Sequence, residues 1–328
     1  MIMGSGGWGT AMAVSAAQAG HRVSVWSPFP DEIKTLQKTR ENPLLPGIRI
    51  PETVAFTGDV SRAGDAGLCI IAVPSFAVGS AAALISDHIS KNCVVVSISK
   101  GFDKERCERL SEIIRRMLPE NKVVALTGPS HAEEVARKVP TVLVSASESE
   151  EAAVVVREAL ATQHLRIYSC GDIIGAELGG AVKNVIALST GIADGMGMGD
   201  NTKAALMTRG LREIRALGLA MGAQRDTFGG LSGMGDLVVT CTSMHSRNRR
   251  AGMLIGQGRP VEDAIAEVGT VEGYHAAEIV RRLAQRYDVD MPICRCCYEI
   301  CYEGRNPRET TYDLMTRPAG HEEKAWGD

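Results

Sequence analysis

A lysine within an otherwise apolar stretch of helical pattern is the strongest candidate for chemistry in this chain. Lys183 is followed by Asn184 and preceded, one turn earlier, by Gly179 and Gly180. An unpaired ammonium is costly to bury, so Lys183 must either reach solvent or act as an acid/base. The two glycines have no side chains, which predicts a slot for a flat ligand beside the amine. The alternative is a close helix–helix contact with the lysine extended toward solvent.

A second candidate site is the glycine loop formed by residues 4–9. Gly4, Gly6 and Gly9 match the spacing G-x-G-x-x-G, and a helical pattern follows directly. Glycines at this spacing permit a tight turn and let a pyrophosphate approach a helix N-terminus, so the loop predicts dinucleotide binding rather than an ordinary turn. The segment Trp26–Pro30 carries neither the acidic residue typical of NAD sites nor the arginine typical of NADP sites. Asp31 is expected to cap the next helix.

Further polar candidates follow the carboxyl ends of predicted strands, where open α/β sheets bind ligands. Lys100 directly follows one strand, and its position favours a functional role over that of an ordinary exposed lysine. Gly128 and Ser130 follow another strand. Ser130 and Glu133 also have the spacing of a capping box, which is a sufficient structural reason for both, although a cap is compatible with an anion site.

The second half of the chain adds an aspartate and an arginine-rich turn. Asp236, close to two glycines, is suited to orienting a substrate hydroxyl or pairing with a lysine, and a turn-forming aspartate is the alternative. Arg247 offers a bidentate donor for a phosphate, and Ser246 and Asn248 beside it supply further hydrogen-bonding groups. A solvated basic turn is the alternative for the arginines.

The elements that position these residues alternate between strand and helix in the first half. This alternation predicts an α/β fold with a Rossmann-like, doubly wound, mostly parallel sheet over residues 1–170. After Asp172 helical patterns follow one another without a convincing strand, which predicts an all-helical substrate-binding and catalytic domain over residues 171–328. The predicted strands are Ile2-Met3, Arg22–Trp26, Leu68–Val73, Cys93–Ser99, Val123–Thr127, Thr141–Ser145 and Leu165–Tyr168. The predicted helices include Trp8–Ala19, Phe76–His88, Glu105–Leu118 and Glu150–Thr162.

The first predicted strand is unusually short. Only three residues precede Gly4, whereas a strand has typically about five residues. Either this strand is truncated or the sheet tolerates a short one, and we expect some loss of stability.

Composition restricts the classes of function. A net charge of −3 argues against nucleic-acid binding. Apolar runs of about 18 residues and a secretion signal are not apparent, so we expect a cytoplasmic protein without membrane insertion. Nine cysteines, an odd number, fit a reducing compartment. Cys294, Cys297 and Cys301 have helical spacing, so an apolar helix face explains them and no metal is expected.

Several of these segments together resemble bacterial NAD(P)-dependent glycerol-3-phosphate dehydrogenases. The resemblance runs in order from Gly4 to about Leu314. It is carried by the glycine loop, Gly128-Pro-Ser-His-Ala-Glu133, Glu177-Leu-Gly-Gly-Ala-Val-Lys-Asn-Val-Ile-Ala187, Gly235-Asp-Leu-Val-Val-Thr-Cys-Thr-Ser243 and His245-Ser-Arg-Asn-Arg-Arg250.

The resemblance implies hydride transfer between NAD or NADP and carbon 2 of glycerol 3-phosphate, giving dihydroxyacetone phosphate, as a source of glycerol phosphate for phospholipid synthesis. It implies that Lys183 is the proton acceptor, with Lys100 and Asp236 beside it, and that the protein is a homodimer. The implied substrate-binding residues are Lys100, Gly128, Ser130, Lys183, Asp236, Ser246, Arg247 and Asn248. The implied cofactor-binding residues are Gly4, Gly6, Gly7, Trp8, Gly9, Lys100, Ala132, Arg247 and Glu272.

Two points stay open at the level of the sequence. The arginine that usually follows the strand-two tryptophan in this family is replaced by Ser27-Pro28, so a preference for NAD or NADP does not follow. A related NAD(P)-dependent 2-hydroxyacid or sugar-acid dehydrogenase is the alternative function, because such enzymes can have the same Rossmann half and helical half.

We also expect a dry site and the neighbouring Lys100 to lower the pKa of Lys183.

Overall fold

A computed structural model describes residues 1–318 of the chain. Its first half is one eight-stranded sheet in the order β3-β2-β1-β4-β5-β6-β7-β8, with every neighbouring pair parallel except β6 and β7. The sequence crosses from one side of β1 to the other between β3 and β4, which places the switch in strand order at the glycine loop. The strands are β1 Ile2–Met3, β2 Val23–Trp26, β3 Val54–Thr57, β4 Leu68–Ile71, β5 Val94–Ser97, β6 Val123–Thr127, β7 Thr141–Ala146 and β8 Leu165–Cys170.

The helices of the first half cover both faces of this sheet. Two hydrophobic clusters lie on its two faces, and the central strands β5 and β6 are buried along their whole length, as expected for parallel strands covered by helices. The helices are α1 Gly7–Gln18, α2 Pro30–Thr39, α3 Val78–Ile85, α4 Leu110–Met117, α5 Ala132–Ala136 and α6 Glu150–Leu160.

The second half of the described chain contains no strand and is built around one long buried helix. The helices are α7 Ile173–Gly195, α8 Asp200–Ala220, α9 Asp236–Thr242, α10 Arg247–Gly256, α11 Val261–Val268, α12 Glu272–Arg286, α13 Pro292–Glu303 and α14 Pro307–Met315. Helix α7 is buried around its whole circumference, and α8, α9, α10, α12 and α13 pack around it. The doubly wound sheet followed by helices confirms the predicted fold class.

The chain passes from the sheet to the helices over two residues. Strand β8 ends at Cys170 and α7 begins at Ile173, with the Asp172 carboxylate capping α7 by accepting the Gly175 N–H. The division into two domains between residues 170 and 171 stays a prediction. On the helical side Cys294, Cys297 and Cys301 lie in the hydrophobic core.

The sequence-based assignment missed strand β3 and misassigned the cap of α2. Strand β3 is only four residues long, and α2 before it lies largely at the surface, with Leu36 as its one buried residue. Asp31 does not cap α2: Phe29 is the N-cap residue, Pro30 occupies the first turn, and Asp31 instead pairs with Lys34. Within residues 1–318, the helices are too short or too polar to cross a membrane.

Candidate active site

The Lys183 ammonium is buried in an ion pair rather than extended to solvent. Lys183 is 4% exposed, and its Nζ donates to Asp236 Oδ1 at 2.6 Å and to Thr240 Oγ1 at 2.5 Å. Asp236 is 1% exposed. A buried ammonium with a buried counterion satisfies the requirement that a desolvated charge be paired, and it excludes the snorkelling alternative.

A second ammonium shares the same carboxylate. Lys100, just after β5, donates from Nζ to Asp236 Oδ2 at 2.7 Å and to the Gly128 carbonyl at 2.9 Å. The Ser130 hydroxyl lies 3.3 Å from the same Nζ and itself donates to the Gly128 carbonyl. Asp236 thus holds Lys183 and Lys100 on its two oxygens, and the cluster of three charged groups keeps a net positive charge.

Asp236 reaches this position from a π-helical turn over Leu231–Gly235 that runs into the N-terminus of α9. Such turns are rare in proteins, and those that occur are often found at functional sites. Asp236 is the first residue of α9, so its carboxylate lies at the positive end of the helix dipole. The turn is packed so tightly that a Cβ on Gly233 would lie 2.2 Å from the Phe228 carbonyl oxygen, which requires glycine.

The environment of Lys183 favours loss of its proton. Burial lowers its pKa most, the Asp236 carboxylate opposes this, and Lys100 adds to the lowering; the net pKa is about 8. The two causes expected from the sequence are therefore confirmed. A pKa near the working pH is the condition under which an amine can both give and take a proton during turnover.

The predicted substrate residues of the second half lie at the start of α10, beside α7. Ser246 is the N-cap, its hydroxyl accepting the Arg249 N–H at 3.2 Å. Asn248 is buried; its side chain donates to Asn184 Oδ1 at 2.9 Å and accepts the Gly273 N–H at 2.8 Å. The Arg247 guanidinium is exposed and makes no hydrogen bond or ion pair with residues 1–318.

Glu272 joins the helical half to the strand ends of the sheet. Its Oε2 accepts the Ser75 hydroxyl at 2.9 Å and lies close to Gly101, the residue after Lys100. Burial raises the pKa of Glu272, and the Ser75 hydrogen bond and the positive charges of His275 and Arg247 oppose the rise. Glu272 therefore connects the start of α12 with the residues that follow β4 and β5.

The glycine loop has the geometry that a pyrophosphate requires. Gly4 has φ of +121°, and a Cβ there would lie 2.6 Å from the Ala72 carbonyl oxygen. A Cβ on Gly9 would lie 2.3 Å from the Gly4 oxygen, whereas Gly6 has nothing within 4 Å. Backbone packs tightly at Gly4 and Gly9, whereas there is space beside Gly6 at the N-terminus of α1. These residues therefore fit a dinucleotide.

The other predicted cofactor residues line the same opening. A Cβ on Gly7 would lie 4.0 Å from the Cβ of Ala132, the first residue of α5, which is the limit of van der Waals contact. Half-buried Trp8 packs in one apolar cluster with Ala132. The glycine loop with α1 and the start of α5 therefore pack against each other.

Two local predictions were wrong. Gly179 does not open a slot, because a Cβ there would lie 2.4 Å from the Ser232 carbonyl oxygen; the glycine lets α7 pack against the turn that carries Asp236. Gly180 faces Thr127 and the Lys100 side chain instead. Ser130 does not form a capping box with Glu133, because His131 is the N-cap of α5 and the Ser130 hydroxyl is turned to Lys100.

Some residues of the site were not found from the sequence. Thr240 lies one helical turn after Asp236, and this spacing was the available signal. Asp194, near the end of α7, pairs with Arg249 at 2.8 Å and with Lys203 at 2.9 Å and so fixes the start of α10. Among residues 1–318 no cluster of three or more potential metal ligands is found.

The glycine loop fits a dinucleotide, and the helical half supplies a buried lysine. This combination is that of a nicotinamide-linked oxidoreductase. Comparisons with known proteins identify its kind. Models of the N-terminal and C-terminal parts of NAD-dependent glycerol-3-phosphate dehydrogenase match residues 1–153 and 172–312. The chain belongs to this family.

Individual relatives cover nearly the whole chain. Glycerol-3-phosphate dehydrogenase [NAD(P)+] of Thermoanaerobacter sp. (strain X514) is 46% identical over 98% of this chain and 98% of its own. The enzyme of the same name from Desulfitobacterium hafniense (strain Y51) is 45% identical over 98% of this chain and 92% of its own. A crystal structure of glycerol-3-phosphate dehydrogenase from Coxiella burnetii, 35% identical, superimposes with a TM-score of 0.92 over 96% of this chain and 98% of that one.

Proposed function

We propose that this protein interconverts sn-glycerol 3-phosphate and dihydroxyacetone phosphate with NAD(P). The observation that carries the proposal is the buried Lys183–Asp236–Lys100 cluster at the edge of a dinucleotide-binding sheet, in a chain of this family. Bound NAD(P)H would supply the hydride in the reducing direction and bound NAD(P)+ would accept it in the oxidising direction, while the residues of this chain exchange the proton and hold the substrate.

Lys183 is the proton donor and acceptor in this scheme. In the reducing direction its ammonium gives a proton to the ketone oxygen, and in the oxidising direction the neutral amine takes the hydroxyl proton back. Asp236 and Thr240 fix the direction of Nζ, since each holds it at hydrogen-bond distance. With a pKa of about 8, Lys183 has both forms available near neutral pH.

The substrate is held by positive charge and by hydrogen-bonding groups around the amine. Lys100, with Gly128 and Ser130, lies on the sheet side of Asp236. Arg247, flanked by Ser246 and Asn248, has an exposed guanidinium suited to the substrate phosphate. Binding energy from the phosphate then positions carbon 2 for reaction.

Steady-state kinetics test this function. Oxidation of NADH and NADPH is measured with dihydroxyacetone phosphate and, as the matched control, with dihydroxyacetone. We expect turnover that requires the phosphate. Equal turnover of both ketones, or activity on a non-phosphorylated 2-hydroxyacid that phosphate does not inhibit, would replace the proposal by the alternative dehydrogenase.

The cellular role follows from this reaction. Glycerol 3-phosphate made in the cytoplasm would supply phospholipid synthesis, and loss of the gene should be rescued by added glycerol 3-phosphate.

We further propose that the protein is a homodimer. Light scattering should then give a mass of about twice 35.0 kDa, and a mass of one chain would exclude it.

A further inference from the structure

The carboxylate of Glu32 lies beside the glycine loop, at the end of β2. Glu32 is in the first turn of α2, roughly 20 residues after Gly9. Its Oε2 accepts the Ser5 hydroxyl, inside the loop, at 2.7 Å. The same oxygen accepts the hydroxyl of Ser27, the residue that follows β2. One carboxylate oxygen is thus fixed between the loop and the end of the second strand.

Both serines are themselves firmly placed. Ser5 is 6% exposed and Ser27 is 2% exposed. The Ser5 carbonyl accepts hydrogen bonds from Thr10 and Asn42. The carboxylate is therefore held by two buried donors, one in the loop and one after β2, which makes it preorganised rather than a mobile surface charge.

The second oxygen of Glu32 remains available to a ligand. Every hydrogen bond found for this carboxylate within residues 1–318 goes to Oε2, and Oε1 has no partner there. The carboxylate also has no basic partner in that part of the chain, and Lys34 on the same helix is turned to Asp31. The group is a half-buried negative charge with one free acceptor atom.

In dinucleotide-binding sheets this place receives the ribose of the adenosine. An acidic side chain there accepts hydrogen bonds from the ribose hydroxyls of NAD, whereas the 2′-phosphate of NADP needs an arginine. We propose that Glu32 selects the cofactor, accepting the 2′-hydroxyl of NAD(H) on Oε1 and repelling the 2′-phosphate of NADP(H). The proposal rests on the proposed dehydrogenase function. It names NAD(H) as the working cofactor, a choice that Ser27-Pro28 alone leaves open.

The expected discrimination follows from like charges at close range. A carboxylate within about 5 Å of a phosphate carrying nearly two negative charges disfavours NADPH by roughly 10- to 100-fold, even at a water-like dielectric constant. The wild-type protein should therefore bind NADH at least about 10-fold more tightly than NADPH.

Nucleotide binding to the full chain, measured without substrate, tests this directly. Titrations use NADH and NADPH with wild type, Glu32→Gln and Asp31→Asn. Glu32→Gln removes the charge but keeps the shape, so NADPH affinity should rise about 10-fold while NADH affinity falls a few-fold. Asp31→Asn removes the same charge one residue away, from a side chain that is 97% exposed, and should leave the ratio unchanged.

Three results would overturn the proposal. Wild type could bind NADPH as tightly as NADH, Glu32→Gln could keep the wild-type ratio of NADH to NADPH affinity, or Asp31→Asn could change that ratio as much as Glu32→Gln does. If Glu32→Gln does not fold, the ratio of NADH to NADPH affinity in wild type decides alone. Because binding is measured without substrate, failure to reduce dihydroxyacetone phosphate would refute the proposed function while leaving the selection by Glu32 intact.

Discussion

Replacing Asp236 by asparagine is the most informative perturbation of the lysine cluster. The substitution keeps the size of the side chain but removes the negative charge that both Lys183 and Lys100 share. Lys183 then loses its charged hydrogen bond at 2.6 Å while the repulsion from Lys100 is no longer offset. Both changes disfavour the ammonium form of Lys183, so its pKa should fall.

The size of the fall can be worked out from the contact that is lost. A hydrogen bond between charged groups contributes about 1.5–3 kcal/mol, and about 1.4 kcal/mol corresponds to tenfold in a proton equilibrium. The pKa of Lys183 should therefore move from about 8 to about 6–7. At pH 7.5 the protonated fraction would drop from roughly three quarters to between about one quarter and about 3%, which lowers ketone reduction accordingly.

The assay is kcat/KM for reduction of dihydroxyacetone phosphate by NADH between pH 5.5 and about pH 9.5, at constant ionic strength. Wild type should lose activity as pH rises through about 8, because the proton donor is deprotonated. In Asp236→Asn the same loss should occur at about pH 6–7. A profile that still breaks near pH 8 in the variant would refute the reasoning, because Asp236 would then not control the proton on Lys183.

Glu213→Gln is the matched control for removal of a buried carboxylate. Glu213 accepts the N–H groups of Ile293 and Cys294 at 2.7 and 3.1 Å, at the start of α13. The change should lower the melting temperature, because charged hydrogen bonds to that helix end are weakened. It should leave the pH of the activity break near 8, since Glu213 makes no contact with Lys183.

Two further predictions concern the substrate phosphate and the junction between the two halves. Arg247→Ala should raise the KM for dihydroxyacetone phosphate by roughly 10- to 100-fold with kcat changed only a few-fold, as steady-state kinetics would show; an unchanged KM would remove Arg247 from the phosphate site. Glu177→Ala should destabilise the protein by about 3–5 kcal/mol in denaturant unfolding, because buried Arg109, paired with Glu177 at 2.8 Å, would lose that counterion. A decrease in the free energy of unfolding of less than about 1 kcal/mol would mean that the ion pair with Glu112 alone is enough to compensate the charge of Arg109.

The parts of the site that follow from local rules could be predicted from the sequence. The glycine loop depends on close backbone packing at Gly4 and Gly9, which few other residues allow. Lys100 was expected at the site because it follows a strand of a parallel sheet, and all such strand ends meet at one edge. Lys183 was expected to be functional because an ammonium in an apolar helix needs a partner.

What the sequence did not indicate depends on contacts between distant segments. Glu32 lies outside the segment Trp26–Pro30, where an acidic residue was sought, and reaches the loop because the first turn of α2 lies beside Ser5 and Ser27. Ser130 has the spacing of a cap, but Lys100 competes for its hydroxyl from 30 residues away. Gly179 looked like an opening for a ligand, and only the path of the turn before Asp236 shows that it is filled by backbone.

The short first strand is supported more strongly than its length suggests. Strand β1 has two residues, yet both are paired with β2 on one side and β4 on the other. The predicted loss of stability remains a prediction, and these contacts show where it would be offset.

The central claim is that Lys183 transfers the proton, and Lys183→Ala tests it most directly. NADH oxidation with dihydroxyacetone phosphate is compared in wild type and variant, with NADH binding and thermal unfolding measured on the same samples. The account predicts a loss of turnover of at least about 100-fold, in line with removal of a general acid, while NADH still binds. A folded variant with near-normal turnover would contradict it.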